Sequence, residues 1–112
     1  MNKYHNRKMT VDNIKFASIK EAEYYQDLKL LYRAGEVVKF TLQPEFILQK
    51  KFKKNGKTIR AIKYIADFWV EYKDGTKEVI DTKGFKTDIF RIKQKIFEYR
   101  YPKLKLKIIC GR

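Results

Sequence analysis

The stretch IKYIADFWVEYKDGTKEVIDTK, residues 62–83, reads as a β-hairpin and decides the fold. Its centre, Asp74-Gly75, is a turn signal, because both residue types tolerate the left-handed backbone of a tight hairpin loop. Before the turn, Ile62, Tyr64, Ala66, Phe68, Val70 and Tyr72 alternate with Lys63, Ile65, Asp67, Trp69 and Glu71. The two sets therefore lie on opposite faces of a strand. Loop length decides which residues meet across the hairpin. A two-residue loop puts Asp67 opposite Thr82. A three-residue loop, Lys73-Asp74-Gly75 with Gly75 left-handed, puts Asp67 opposite Asp81. The second register also pairs Glu71 with Lys77, Trp69 with Val79 and Phe68 with Ile80. It sets opposite charges and apolar side chains against each other, so it is the register expected.

That register sets two carboxylates face to face, which repels. A divalent cation between them turns the repulsion into a binding site. Hard oxygen donors suit Mg²⁺, which takes one or two carboxylates plus waters and substrate phosphate. Lys83 shares the face of Asp81, two residues along, where an ammonium can stabilise developing charge or orient a water.

Working outward, Ser18-Ile19-Lys20-Glu21 has the form of a capping box. Ala22, Tyr25, Leu28, Leu31 and Tyr32 follow at helical spacing, and Gly35 supplies the stop. This predicts a helix from about Ile19 to Ala34. Val37 to Gln49 is extended, with a break at Gln43-Pro44, since Pro44 cannot donate to a ladder. Asn55-Gly56 marks another hairpin turn, and Thr58 to Tyr72 reads as strand. After Gly84, Thr87 caps a second helix with Asp88 in its first turn. Ile89, Ile92, Ile96 and Tyr99 form its expected apolar stripe, widened by Phe90 and Phe97, and Pro102 ends it. Leu104, Leu106 and Ile108 alternate with Lys103, Lys105 and Lys107 as a last strand. The order helix, strands, helix, strand predicts a mixed α/β class. Residues 1–12 read as a flexible basic tail, and 13–112 as a single domain.

The chain has 112 residues and a formal net charge of +14, from 27 Lys+Arg against 13 Asp+Glu. This excess points to a polyanionic partner, nucleic acid first and an anionic membrane surface second. No apolar run approaches membrane-spanning length, and Met1 to Arg7 lack the apolar segment of a signal peptide. A cytoplasmic location is expected. Cys110 is the one cysteine, so no intramolecular disulfide forms. It sits in an apolar run and is expected to be a buried structural thiol rather than a nucleophile, because the one histidine, His5, lies in the polar N-terminal tail.

Asp67, then Asp81-Thr82-Lys83 after a hairpin, resembles the PD-(D/E)XK nuclease signature. Ala66 stands where the proline of that name would be, and Asp81 where glutamate is more frequent. The wider order of Phe16-Ala17-Ser18-Ile19-Lys20-Glu21, Gln43-Pro44, Ala66-Asp67-Phe68 and Asp81-Thr82-Lys83-Gly84 looks like a small phage-encoded family assigned to that superfamily, formerly of unknown function. That resemblance covers roughly residues 14 to 100, and the chain is also similar to archaeal Holliday-junction resolvases and the Tn7-type transposon end nuclease. The resemblance implies a restriction-endonuclease-like core and Mg²⁺-dependent cleavage of DNA, with Mn²⁺ as the expected substitute. It implies Asp67, Asp81 and the Thr82 carbonyl as metal ligands, Lys83 as a catalytic group, and Glu21 as a further active-site member. A capping role alone also explains Glu21.

Gln43 is implied near the scissile phosphate. Lys86, Thr87, Arg91 and Lys95 open the second helix, whose N-terminus favours phosphate, although a plain solvent face has the same composition. Lys50, Lys51, Lys53, Lys54 and Lys57 surround the Asn55-Gly56 turn as a basic finger for a DNA backbone. The expected function is a structure-selective or nicking endonuclease acting on branched DNA, with a homodimer cutting one strand per subunit as a fitting assembly. Two alternatives explain the same charge: a non-catalytic nucleic-acid-binding module, and a nuclease subunit active only within a larger recombination complex.

Overall fold

The computed structural model describes residues 8–110. In chain order it forms β1 (Met9–Val11), β2 (Ile14–Phe16), α1 (Ile19–Arg33), β3 (Val37–Leu42), β4 (Glu45–Gln49), β5 (Phe52–Lys54), β6 (Lys57–Ile59), β7 (Ile62–Ile65), β8 (Phe68–Tyr72), β9 (Lys77–Lys83), α2 (Asp88–Arg100) and β10 (Lys105–Cys110). The class is mixed α/β. A four-stranded sheet in the order β10-β9-β8-β3 forms the centre. β3, β8 and β9 run antiparallel in turn, and β10 returns through α2 to lie parallel to β9.

From Phe68 onward the β8–β9 hairpin takes the expected register, with Phe68 facing Ile80, Trp69 facing Val79 and Glu71 facing Lys77, but the expected pairing of Asp67 with Asp81 is not part of the ladder. Its loop is Lys73-Asp74-Gly75. The Tyr72 amide donates to the Thr76 carbonyl (2.9 Å) and the Gly75 amide to the Tyr72 carbonyl (2.9 Å). Gly75 has φ +91°, which a β-carbon would disfavour. Asp74 tightens the loop by accepting from both the amide and the hydroxyl of Thr76.

Neighbouring residues of β9 point to opposite faces, and each face has its own core. Ile80 joins Phe68, Val70, Ala22, Tyr25 and Leu28 beneath α1. Val79 joins Tyr64, Ala66, Leu48, Phe90 and Phe97 beneath α2. The helices therefore sandwich the sheet, and β9 is covered on both sides. Both start at caps legible in the sequence. Ser18 accepts from the Glu21 amide (3.1 Å) and Thr87 from the Phe90 amide (3.0 Å).

Several expectations are corrected. Thr58 to Tyr72 is not one strand but parts of three. Gln43 adopts φ +51° and kinks the β3–β4 side of the ladder. The partner side bends at Ala66-Asp67, where the Gln43 amide donates to the Asp67 carbonyl (2.9 Å) and the Ala66 amide to the Pro44 carbonyl (3.1 Å). The alternation is broken at the bend, so the residues expected on one face divide: Tyr64 and Ala66 face α2 while Phe68 and Val70 face α1.

Only part of the stripe expected to bury α2 faces the core: Ile96 packs against it, while Ile89, Ile92 and Tyr99 turn outward. Phe90 and Phe97 fill the core, with Phe97 ring centroids 5.0 Å from Phe46 and 5.4 Å from Tyr64. Rings bury more apolar area than aliphatic side chains, so they set the rotation of the helix. Ile89 and Tyr99 are left 68% and 84% exposed, and Ile92 is exposed beside them. On α1, Leu31 and Tyr32 are exposed beyond the buried Leu28. Cys110 is exposed rather than buried. It is the last residue of an edge strand, and the two cores extend only as far as Ile108 and Ile109. Part of the expected tail is paired: Met9–Val11 lies antiparallel to Ile14–Phe16, while His5 falls outside the described residues. Among the described residues no helix is long and apolar enough to cross a membrane.

Candidate functional site

The site forms where the ladder kinks. Phe68 is the partner of Ile80, yet the Asp67 amide also donates to the Ile80 carbonyl (3.1 Å). Two residues thus oppose one, which is a β-bulge, and it re-aims Asp67 at the end of the paired hairpin. The Asp67 carboxylate turns toward β9. Its Oδ2 accepts from the Thr82 amide (2.8 Å) and the Thr82 hydroxyl (2.7 Å).

Asp81 is held in a parallel manner. It is 2% exposed. Its Oδ2 accepts from the Tyr64 hydroxyl (2.5 Å) and lies 3.5 Å from Lys83 Nζ. Lys83 in turn lies 4.4 Å from the centre of the Phe90 ring, so the first turn of α2 backs the ammonium. Glu21 approaches from α1 and is 3% exposed. Its Oε1 accepts from the Ala17 amide (3.3 Å). Each of the three carboxylates is therefore tethered through one oxygen, while the second oxygen has no protein donor among the described residues.

The charges feel one another. Burial, and next the charge of Asp67, push Glu21 from 4.5 up to about 7, with Asp81 adding to the effect. Burial also pushes Asp81 from 3.8 up to about 6. The Tyr64 hydrogen bond and Lys83 pull the other way, and Asp67 reinforces the rise. Burial and the bond to Asp81 raise Tyr64 as well, so its hydroxyl stays a donor.

This donor set has the chemistry of a hard-cation site: carboxylate oxygens, partly desolvated, mutually repelling and pre-tethered. It is not a closed cage. Among the described residues no three His, Cys, Asp or Glu side chains stand close enough to hold an ion together. The fit is to an ion held by two carboxylates, with water or a ligand completing its shell.

The fold thus brings Glu21, Asp67, Asp81, Thr82 and Lys83 together. Gln43 belongs to the same region: its backbone amide donates to the Asp67 backbone carbonyl, and with Glu21, Ile14, Lys15, Phe16 and Leu42 it lines a cleft. Thr87 caps α2 next to Phe90, on the Lys83 side. Arg91 and Lys95 are exposed farther along that helix, Lys86 is half-buried before it, and Lys53 and Lys54 lie on the separate β5–β6 ribbon. None of these five pairs with an acid among the described residues.

Sequence reasoning missed Tyr64 and Lys15. The regular alternation that set Tyr64 on the face opposite Asp67 carried no sign of its hydroxyl reaching Asp81, because that contact needs the kink.

Neither the curated proteins nor the solved structures searched contain a match to this chain. One family model, described as "Protein of unknown function (DUF1064)", matches residues 1–112. The chain belongs to that family.

Proposed function

We propose that the protein is a metal-dependent DNA endonuclease of the PD-(D/E)XK type, with Asp67, Asp81 and Lys83 at its centre. The observation that carries this reading is the pair of carboxylates from adjacent strands, each tethered through one oxygen, with Lys83 beside the second. The order α1, three antiparallel strands, α2 and a parallel fourth strand also agrees with a restriction-endonuclease-like core.

Asp67 and Asp81 are the metal ligands, and the Thr82 carbonyl is a third candidate. A bound Mg²⁺, or Mn²⁺ in its place, supplies Lewis-acid polarisation of the scissile phosphate and offsets its charge. Thr82 fixes the Asp67 carboxylate through two donors. Tyr64 and Lys83 fix Asp81. The Lys83 ammonium is left able to donate to a phosphate oxygen or to an attacking water. Glu21, held protonated near neutral pH by burial and its acidic neighbours, stands beside this pair as a further member of the active site. Gln43, Lys86, Thr87, Arg91 and Lys95 bind DNA phosphates around this centre, and Lys53 and Lys54 bind them from the β5–β6 ribbon. Branched or nicked DNA is the proposed substrate, and a homodimer would place one site on each strand, the exposed Ile89, Ile92 and Tyr99 being the surface on which to test it.

The test uses labelled four-way junction, flap, linear and supercoiled DNA, in Mg²⁺ and in Ca²⁺. Cleavage in Mg²⁺ should fall about a thousandfold or more in Asp81→Ala and Lys83→Ala while binding persists. Wild-type protein that binds all four DNAs and cuts none of them would transfer the reading to a non-catalytic binding module. Cutting that starts only on adding a recombination partner would make it a subunit of a larger complex.

A further inference from the structure

Half of the net charge of the chain lies in one short stretch. Residues 46–66 hold seven Lys or Arg and no Asp or Glu, against +14 for all 112 residues. This stretch forms most of a single hairpin arm. β4 and β7 make its root, and β5 and β6 its tip.

The root is packed and the tip is not. Phe46 and Tyr64 pack against Phe97 of α2. From Gln49 to Arg60 every residue is exposed. The arm also leaves the body at the candidate site itself, since the bonds that close its base join Gln43 to Asp67 and Ala66 to Pro44.

An isolated two-stranded ribbon is marginal in water, and this one carries two further burdens. Lys54 stands directly opposite Lys57, a like-charge pair. Phe52 faces Ile59, and both remain exposed, at 42% and 40%. A polyanion would relieve the repulsion along the ribbon.

Length and shape narrow the partner. The ten residues from Glu45 to Lys54, with an irregularity between Ile47 and Gln49, span at most about 30 Å at a strand rise of ~3.3 Å each. That is the length of about nine base pairs at ~3.4 Å per step. The major groove of B-form DNA admits a two-stranded ribbon, whereas the deep, narrow groove of A-form RNA does not.

We infer that this arm docks in the major groove of a B-form duplex flank extending to one side of the site, so the DNA bound must carry about nine base pairs of duplex there. The position of the flank relative to a cut rests on the nuclease reading. The docking itself does not.

The experiment measures binding in Ca²⁺ to junctions and forks whose duplex flanks run from about four to about sixteen base pairs, at several salt concentrations. Wild-type affinity should climb until the flank reaches about nine base pairs and then level off. In the triple variant Lys53→Gln/Lys54→Gln/Lys57→Gln, the slope of log affinity against log salt should fall by about 2.7, and the dependence on flank length should flatten. All three positions are exposed, so an unchanged melting temperature certifies the fold of the variant.

An unchanged salt slope in the triple variant overturns the inference, as does a wild-type affinity indifferent to flank length. Equal affinity for a duplex RNA flank overturns the groove assignment and with it the proposal. Wild-type protein that follows the expected flank dependence but never cuts in Mg²⁺ removes the nuclease reading and leaves the arm standing. Cleavage that survives beside an unchanged slope does the reverse.

Discussion

Two hairpins carry the same local signal and meet opposite fates. Asp74-Gly75 and Asn55-Gly56 both turn through left-handed backbone, with Gly75 at φ +91° and Gly56 at φ +75°. Around the first, Phe68, Val70, Val79 and Ile80 are fully buried. Around the second, every residue of both strands is exposed. A one-residue slip in the β8–β9 hairpin would turn Val79 and Ile80 toward each other's core, so packing locks its register. The β5–β6 ribbon has only its turn to set the register. The buried hairpin can therefore hold carboxylates in place, and the electrostatic cost appears in the upward shifts of Glu21 and Asp81. The exposed hairpin fixes no side chain firmly, but it keeps many cations in water without desolvating them.

The largest test of this contrast is a matched pair of truncations. Phe68→Ala should lower stability by about 3–5 kcal/mol, because it leaves a cavity between α1 and the sheet. Phe52→Ala on the ribbon should stay within about 0.5 kcal/mol. Urea midpoints measured side by side decide the matter, and comparable losses would mean that the ribbon is part of the core after all.

A smaller effect is expected at Glu21, where pH gives the sign. Its carboxyl rises from 4.5 to about 7 on folding. The folded state thus holds that proton more tightly, and the associated stability is fully present below about pH 4.5. It is lost as pH climbs through 7. Glu21→Gln keeps an acceptor for the Ala17 amide and removes the loss. It should stabilise the protein by roughly 1–3 kcal/mol at pH 8 and by little at pH 4. Thermal melts at the two pH values check this. A variant less stable than wild type at pH 8 would mean that the Glu21 charge is compensated in the fold, and that the acidic centre is not strained.

What could be read from sequence, and what could not, divides along the same line. The β8–β9 register was legible because complementary pairs, Glu71 with Lys77 and Trp69 with Val79, exist in only one alignment. The caps at Ser18 and Thr87 were legible because they depend on residues three positions apart. The kink at Gln43 and Ala66-Asp67 was not, since it involves two strands more than twenty residues apart. Tyr64 was therefore given no role at Asp81. The rotation of α2 was hidden for a related reason. Ile89, Ile92 and Tyr99 make as good a stripe as Phe90 and Phe97 until Phe46 and Tyr64 build an aromatic pocket that accepts rings. Cys110 was misjudged because apolar neighbours in sequence do not say where the cover of an edge strand ends. The union of Glu21, Asp67, Asp81 and Lys83 came from the resemblance and the register together. Its geometry, one tethered oxygen per carboxylate, came from the fold alone.

The smallest predicted effect compares the charged pairs nearest each turn. In the buried hairpin, Glu71 faces Lys77, opposite charges. In the arm, Lys54 faces Lys57, like charges. Directly opposed pairs contribute roughly 0.2–1 kcal/mol, with the sign set by their charges. Lys77→Glu should therefore cost about that much, and Lys54→Glu should stabilise by a similar amount, since it creates an opposite pair on the ribbon. Lys54→Glu should also weaken DNA binding, because it reverses one cation of the arm. Opposite signs for stability and affinity in one substitution are what an element retained for a polyanion requires. If Lys54→Glu destabilises the free protein as Lys77→Glu does, the repulsion in the arm is not real in solution, and the two hairpins differ in exposure but not in purpose.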